Sequence, residues 1–176
     1  MSTVVVVMGV SGSGKTTVGR ALAERLGVPY AEADDFHSRS NIDKMTAGTA
    51  LTDEDRWPWL RAIARWIGER TAAGGGVVTC SALKRPYRDL LRSASEEVWF
   101  LHLDGTPALI ATRIAARTGH FMPPALLDSQ FADLAPLAED EPGLVLDVAA
   151  PAGDLVESAL RAMPAPPPAP GSSSAR

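Results

Sequence analysis

The sequence is short of cysteine, of positive charge and of long apolar runs, and each shortage excludes something. A single cysteine, Cys80, rules out an internal disulfide and suits a reducing compartment, so the cytoplasm is the expected location. With 17 Lys and Arg against 21 Asp and Glu, the net charge is −4. No basic stripe is present to hold a nucleic acid, so any anion site must be built locally from a few placed cations. No apolar run reaches membrane-spanning length. The valine run near the N-terminus has neither a basic leader nor a cleavage site and reads as a strand. No internal repeat is visible. The length of 176 residues suits one domain, expected over 1–163. From Pro164 the chain reads PAPPPAPGSSSAR, a composition that cannot build a core, so 164–176 is expected to be a disordered tail.

What is present is a phosphate-binding loop. Gly9 to Thr16 read GVSGSGKT, which satisfies the P-loop pattern of Gly, four residues, then Gly-Lys-Thr. A phosphate chain needs several backbone N–H groups aimed at one point. Gly9, Gly12 and Gly14 permit the positive φ angles and close approach that this requires. Lys15 brings charge to the β- and γ-phosphates, and Thr16 offers a hydroxyl to Mg²⁺. The helix that follows points its positive end at the anion. The context agrees. Thr3 to Met8 is a short β-branched run, as in a buried parallel strand, and Val18, Ala21, Leu22 and Leu26 recur at helical spacing until Gly27. Gly9, Ser11, Gly12, Ser13, Gly14, Lys15, Thr16 and Thr17 are therefore assigned to the nucleotide.

Four further strands are expected at 28–33, 76–81, 98–103 and 144–149. Helices are expected over 53–71, with Trp57, Leu60, Ala64 and Ile67 on one face, then over 86–94, from Thr106-Pro107 to about Thr118, and over 153–163. Strands alternating with helices imply an α/β fold, a parallel sheet with right-handed crossovers and helices on both faces. Ligands of such sheets bind beyond the carboxyl ends of the strands.

The chemistry-bearing residues follow those ends. Glu32-Ala33-Asp34-Asp35-Phe36-His37 crowds three carboxylates and an imidazole into one turn, suited to acid/base work and to organising Mg²⁺. Lys84, Arg85 and Arg88 put positive charge after the third strand, where an anionic substrate would be held; a solvated basic helix face is the competing reading. Cys80 reads as a buried strand residue rather than a nucleophile. Arg113 and Arg117, four apart, share a helix face. Gly119 to Pro124 then breaks that helix, as a hinged lid over roughly 113–136 would require to exclude water from phosphoryl transfer.

Several blocks resemble the gluconokinases. They are Ala33-Asp34-Asp35-Phe36-His37, Asn41-Ile42-Asp43-Lys44-Met45, Leu51-Thr52-Asp53-Glu54-Asp55-Arg56-Trp57-Pro58-Trp59-Leu60, Cys80-Ser81-Ala82-Leu83-Lys84 with Tyr87-Arg88-Asp89, and Gly119-His120-Phe121-Met122 with Ser129-Gln130-Phe131. The resemblance runs in order from the P-loop to about Glu141. It implies a P-loop, nucleoside-monophosphate-kinase-like fold: three α/β/α layers, a five-stranded parallel sheet and a mobile lid. It implies ATP- and Mg²⁺-dependent phosphorylation of D-gluconate at the 6-hydroxyl, giving 6-phosphogluconate for the pentose phosphate or Entner–Doudoroff routes, and a homodimer. Similarity to related small-molecule kinases favours Asp34 over Asp35 as the group that accepts or orients the hydroxyl proton. Lys15, Arg117 and Arg113 are expected to neutralise the moving phosphoryl, with stacking on adenine an alternative for Arg113. Thr16 and, through water, Glu32 are the expected Mg²⁺ ligands. Arg56, Lys84, Arg88, His120 and Gln130, with His37, are the expected gluconate contacts.

Three departures from the resemblance stand out. Ser38 follows the histidine where the family usually has proline, which is expected to loosen that turn. Ala135-Pro136-Leu137 replaces a Glu-Pro pair and leaves the return path of the lid open. The tail has no counterpart. A kinase for shikimate or adenylylsulfate, a nucleotide switch and an inactive binding module are the competing readings. The second lacks a guanine-reading Asn-Lys-x-Asp block, and the third is disfavoured by Lys15, Thr16 and Asp34.

Overall fold

A computed structural model of the chain describes residues 2–117 and 123–165. Five strands, β1 (Val4–Met8), β2 (Tyr30–Glu32), β3 (Gly76–Thr79), β4 (Val98–Asp104) and β5 (Gly143–Asp147), form one parallel sheet in the order β2-β3-β1-β4-β5. The register is continuous: Val5 lies opposite Val77 on one side and Trp99 on the other, and Leu101 opposite Leu144. Consecutive side chains of a strand point to opposite faces, so the all-apolar β1 feeds two cores. Val5, Val7 and Leu101 pack beneath α1 (Lys15–Leu26) and α7 (Ala152–Ala162) through Leu22, Leu155 and Ala159. Val4, Val6, Met8 and Phe100 pack beneath α3 (Asp53–Ala72) and α4 (Arg85–Arg92) through Leu60, Ile63, Ile67 and Leu91. Every one of these four strand residues is fully buried. No described helix is long and apolar enough to cross a membrane.

Three further helices carry the rim of the site: α2 (Arg39–Thr46), α5 (Pro107–Ala116) and α6 (Pro124–Asp133). Two of them, α2 and α6, correct the sequence reading. The α2 segment is polar and its only strong signal is its cap: Ser38 Oγ accepts from Asn41 N, so the serine fixes the turn that it was expected to loosen. Pro123 and Pro124 do end the run of breaker residues, but Pro124 also opens α6 at its first position, where a proline costs nothing. The return path from α6 is anchored: Ala135 N donates to Leu83 O at 2.7 Å, and Pro136 O accepts from Arg88. β2 is shorter than expected because a 3₁₀ turn takes over at Ala33–Phe36. Cys80 is buried just past β3, and burial pushes its thiol up to about 12, as suits a packing residue. Residues 118–122 and 166–176, with most of the lid's tip and of the tail, lie outside the described residues.

Candidate active site

The P-loop leaves β1 and must turn sharply to aim its amides. Gly9, Gly12 and Gly14 have φ of 147°, 80° and 92°. A Cβ on Gly9 would stand 2.7 Å from Leu103 O, and one on Gly12 would stand 2.6 Å from Ile114 Cγ1 of α5, so both close approaches demand glycine. The first turn of α1 contains no acidic residue to compete with an anion. Lys15 Nζ donates to Gly9 O and Val10 O, each at 2.9 Å. Burial lowers its pKa to about 8, against the opposing pull of Cys80, Asp34 and Glu32. Arg117 lies close enough to Lys15 to disfavour its charge further, so both cations address one small region.

Glu32 closes the floor of this region. Thr16 Oγ1 donates to its Oε1 at 2.8 Å, Thr79 Oγ1 to its Oε2 at 2.7 Å, and Tyr30 OH to its Oε1. Burial alone would raise its pKa, but the donors from Tyr30, Thr79 and Thr16 reverse the sign and hold the carboxyl below its ordinary range. An ionised carboxylate beside a hydroxyl at the phosphate cradle is a donor set that fits Mg²⁺, a hard cation that completes its shell with phosphate and water. Among the described residues no group of three or more His, Cys, Asp or Glu is placed to hold a metal ion.

A cavity of about 280 Å³ opens from Ser13, Gly14 and Thr17 toward Arg113, Ala150 and Leu155. Arg113 is tied down by an Nη2 donation to Val148 O and lines that cavity. A flat cation beside an apolar wall suits an adenine ring.

The acceptor rim is positioned by α3. Trp59 Nε1 donates to Ala33 O at 2.7 Å and so pins the 3₁₀ turn that carries Asp34. The same indole stacks on His37, with ring centroids 4.3 Å apart and an interplanar angle of 11°. Asn41 fixes the histidine tautomer. Its Nδ2 donates to the Asp55 carbonyl at 2.9 Å, which identifies that atom as the amide nitrogen, and its other hydrogen meets His37 Nδ1 at 3.3 Å. His37 therefore keeps its proton on Nε2. Burial holds its pKa below the ordinary value, with Asp34 opposing and Arg56 adding to the shift. Asp34 is exposed and close enough to both Lys15 and His37 to act on their charge.

Arg56 and Lys84 converge on Asp53, with Arg56 Nη1 at 3.6 Å and Lys84 Nζ at 3.5 Å from its Oδ1. Tyr87, which donates its hydroxyl to the same oxygen, lies under both cations at 5.9 and 5.6 Å from its ring centre. Both cations face Asp53, and Asp133 also acts on Lys84, so an incoming anion would share this pair with carboxylates already present. Asn41, Trp59, Tyr87 and Asp53 shape this rim, although the sequence reading named none of them as site residues.

Two expected gluconate contacts are corrected. Arg88 is fully buried; its Nε donates to Glu141 Oε2 at 2.6 Å and its Nη1 to Ala82 O and Leu83 O at 2.9 and 3.1 Å. Its guanidinium faces into the fold because Glu141, itself buried, is the partner. Gln130 is likewise engaged, not with the acceptor rim but with Ser11 of the P-loop. Ser11 in turn gives its amide to Gln130, which removes that N–H from the nucleotide's share. His120 lies outside the described residues.

The shikimate kinase family model matches residues 11–137. A gluconokinase of Gluconobacter oxydans (strain 621H) is 50% identical over 138 residues, covering 78% of each chain. An unliganded sugar kinase from Janibacter sp. HTCC2649 superposes with a TM-score of 0.86 at 53% identity, over 92% of this chain and 94% of its own. A gluconokinase from Sinorhizobium meliloti 1021 superposes at 0.84 with 45% identity, over 91% and 90%. The chain belongs to the gluconokinase family of P-loop kinases.

Proposed function

We propose that the chain transfers the γ-phosphoryl group of ATP to the 6-hydroxyl of D-gluconate. The observation that carries the reading is the shared rim. A phosphate cradle with Lys15 turned into it stands beside Asp34 and His37, and a carboxylate-binding pair, Arg56 and Lys84, flanks the same turn. Gluconate has a carboxylate at one end and the reacting hydroxyl at the other. The cation pair holds the first, and His37 Nε2–H with Asp34 addresses the second. Asp34 accepts or orients the hydroxyl proton. The transition state of phosphoryl transfer is loose, so placing the hydroxyl in line and neutralising the phosphoryl oxygens through Lys15, Arg117 and Arg113 outweigh base strength. Arg113 lines the cavity beside the cradle, which supports stacking on the base as its alternative role.

Thr16 and Glu32 would hold Mg²⁺, Glu32 through water; when bound, the ion neutralises charge on the phosphates. The family resemblance supports a homodimer and a role in supplying 6-phosphogluconate to the pentose phosphate route. The lone, buried Cys80 supports a reducing, cytoplasmic setting.

The test is ADP release measured with gluconate, glucose, shikimate, adenylylsulfate and no acceptor. Release with gluconate alone is expected. Equal release without an acceptor, or preference for shikimate, would overturn the assignment. Arg56→Ala should raise KM for gluconate at least tenfold with a smaller change in kcat, as loss of a charge-assisted contact would. An unchanged KM would remove Arg56 from the carboxylate site.

A further inference from the structure

The lid region touches the crown of the P-loop at two adjacent residues. From α5, Ile114 fills the space beside Gly12. From α6, Gln130 makes a paired contact with Ser11, 119 positions away in sequence: Ser11 N donates to Gln130 Oε1 at 2.7 Å, and Gln130 Nε2 donates to Ser11 Oγ at 3.1 Å. The orientation of the amide is set by chemistry. A backbone N–H can only donate, so it must face Oε1, which turns the amide nitrogen toward the hydroxyl. Because Ser11 Oγ accepts that bond, its own hydrogen stays free. α6 is seated by burial of Leu127, packing of Phe131 against the core, and the bond from Ala135 N to Leu83 O.

We propose that Gln130 is a positioning residue for the nucleotide. It holds the crown of the P-loop in its phosphate-ready curve and makes nucleotide binding depend on α6 being seated. A glycine-rich loop has many backbone conformations, and a phosphate cradle works only if its amides converge before the anion arrives. Ser11 N–H is committed to Gln130 Oε1, and without Gln130 this part-buried donor would lose that partner. Ser13 N donates to Val10 O at 3.3 Å, so the bond to Gln130 leaves the amides of Gly12 and of Gly14 to Thr16 for phosphate and fixes the residue at which the loop begins its turn. The same bond places α6, which follows the lid's tip, in direct contact with the nucleotide site. The proposal rests on the reading of this loop as the ATP site and does not depend on which acceptor is phosphorylated.

The test uses the full chain and two variants, Gln130→Met and Ser11→Ala. Methionine keeps the length and bulk of the side chain but can neither accept from Ser11 N nor donate to its hydroxyl. Binding of a non-hydrolysable ATP analogue is measured by calorimetry without gluconate, and KM for gluconate is measured at saturating ATP. Gln130→Met should weaken analogue binding about tenfold, the equivalent of the two neutral hydrogen bonds it removes. Ser11→Ala should weaken it about threefold, and the double variant should be no worse than Gln130→Met alone, because both remove one linkage. KM for gluconate should change less than twofold. Ser11→Ala leaves the seat of α6 intact, so it carries the test if the Met variant fails to fold. Unchanged analogue binding in both variants would overturn the proposal. So would a raised gluconate KM with analogue binding intact, which would return Gln130 to the acceptor site. Failure of the unaltered protein to bind the analogue would instead sink the ATP-site reading itself.

Discussion

Lys15 and Arg88 show how two cationic side chains take opposite roles according to where the charge ends. The Lys15 ammonium has only neutral carbonyls as hydrogen-bond partners, and burial brings its pKa to about 8. Phosphate at the cradle would raise that value again, so nucleotide binding above pH 8 should draw a proton from solvent. The sign follows from linkage: the complex binds the proton more tightly than the free protein, so affinity falls as pH rises through and beyond about 8. Calorimetric titration at pH 8 in two buffers of different ionisation enthalpy should show uptake of about half a proton per ATP, and Lys15→Met should abolish it. Arg88 instead carries a permanent charge that is met inside the fold by Glu141. Arg88→Ala would leave the buried Glu141 carboxylate to Arg85 alone, whose Nε lies 3.0 Å from Oε1, and should cost up to about 3 kcal/mol in denaturant unfolding, while the folded fraction keeps its gluconate KM. Arg88→Met combined with Glu141→Leu should recover most of the loss. A raised KM without loss of stability would restore Arg88 to the substrate site. Its burial had one signal in the sequence: Arg88 stands three residues before Leu91, on the stripe that α4 buries. Its partner, 53 positions away, had none.

At the scale of elements, legibility follows how each segment is stabilised. The strands were readable because a parallel strand covered on both faces is largely apolar; β1 is so throughout, and β4 is so from Val98 to Leu101 before His102 interrupts it. So were α3 and α5, whose apolar periods announce a buried face. α2 was not, because its buried residue is Asn41 and its stability rests on a cap and on bonds across to α3, such as Lys44 to Asp55. That pair, with the Thr52 amide, holds the Asp55 carboxyl at about 2, so its stabilising contribution is complete above the ordinary carboxylate value and is lost as pH falls from there through about 2. The phosphate cradle was legible as a motif. The acceptor rim was legible only in part, since Trp59 and Tyr87 act through stacking across elements. Ser38 provides the test. Its φ of −65° and ψ of 158° suit proline, and His37 before it is extended, as a residue preceding proline must be. Ser38→Ala should destabilise by about 1 kcal/mol through loss of the cap. Ser38→Pro loses the same cap but restricts the unfolded chain, so it should stay within about 0.5 kcal/mol of the parent. Equal losses in both variants, read as denaturation midpoints, would show that backbone restriction contributes nothing at this turn.

For the molecule as a whole, acid stability is the property that the fold controls through its histidines. His102 sits in β4 opposite Val145, is 3% exposed, and has no hydrogen-bond partner for either ring nitrogen among the described residues. Burial lowers its pKa; Asp104 opposes that shift and Arg88 reinforces it. His37 is lowered for the same leading reason. A base with a depressed pKa in the fold binds its proton more tightly when unfolded. The stability that neutral His102 and His37 allow is therefore complete above the ordinary histidine value near 6.5, and it is lost as pH falls through that value toward and past the folded pKa of each. Asp55 and Glu32, both depressed carboxylates, add their losses only at lower pH. His102→Leu keeps an apolar body in the sheet and removes two unpartnered nitrogens whose burial costs about 1–3 kcal/mol. The variant should be at least as stable as the parent at pH 7, and its advantage in Tm should widen as pH is lowered to 5. The slope should shrink without vanishing, since His37 still resists its proton. Parallel Tm-against-pH curves for parent and variant would mean that His102 takes up no differential proton on unfolding, and would move the acid sensitivity of the whole fold to the rim of the active site.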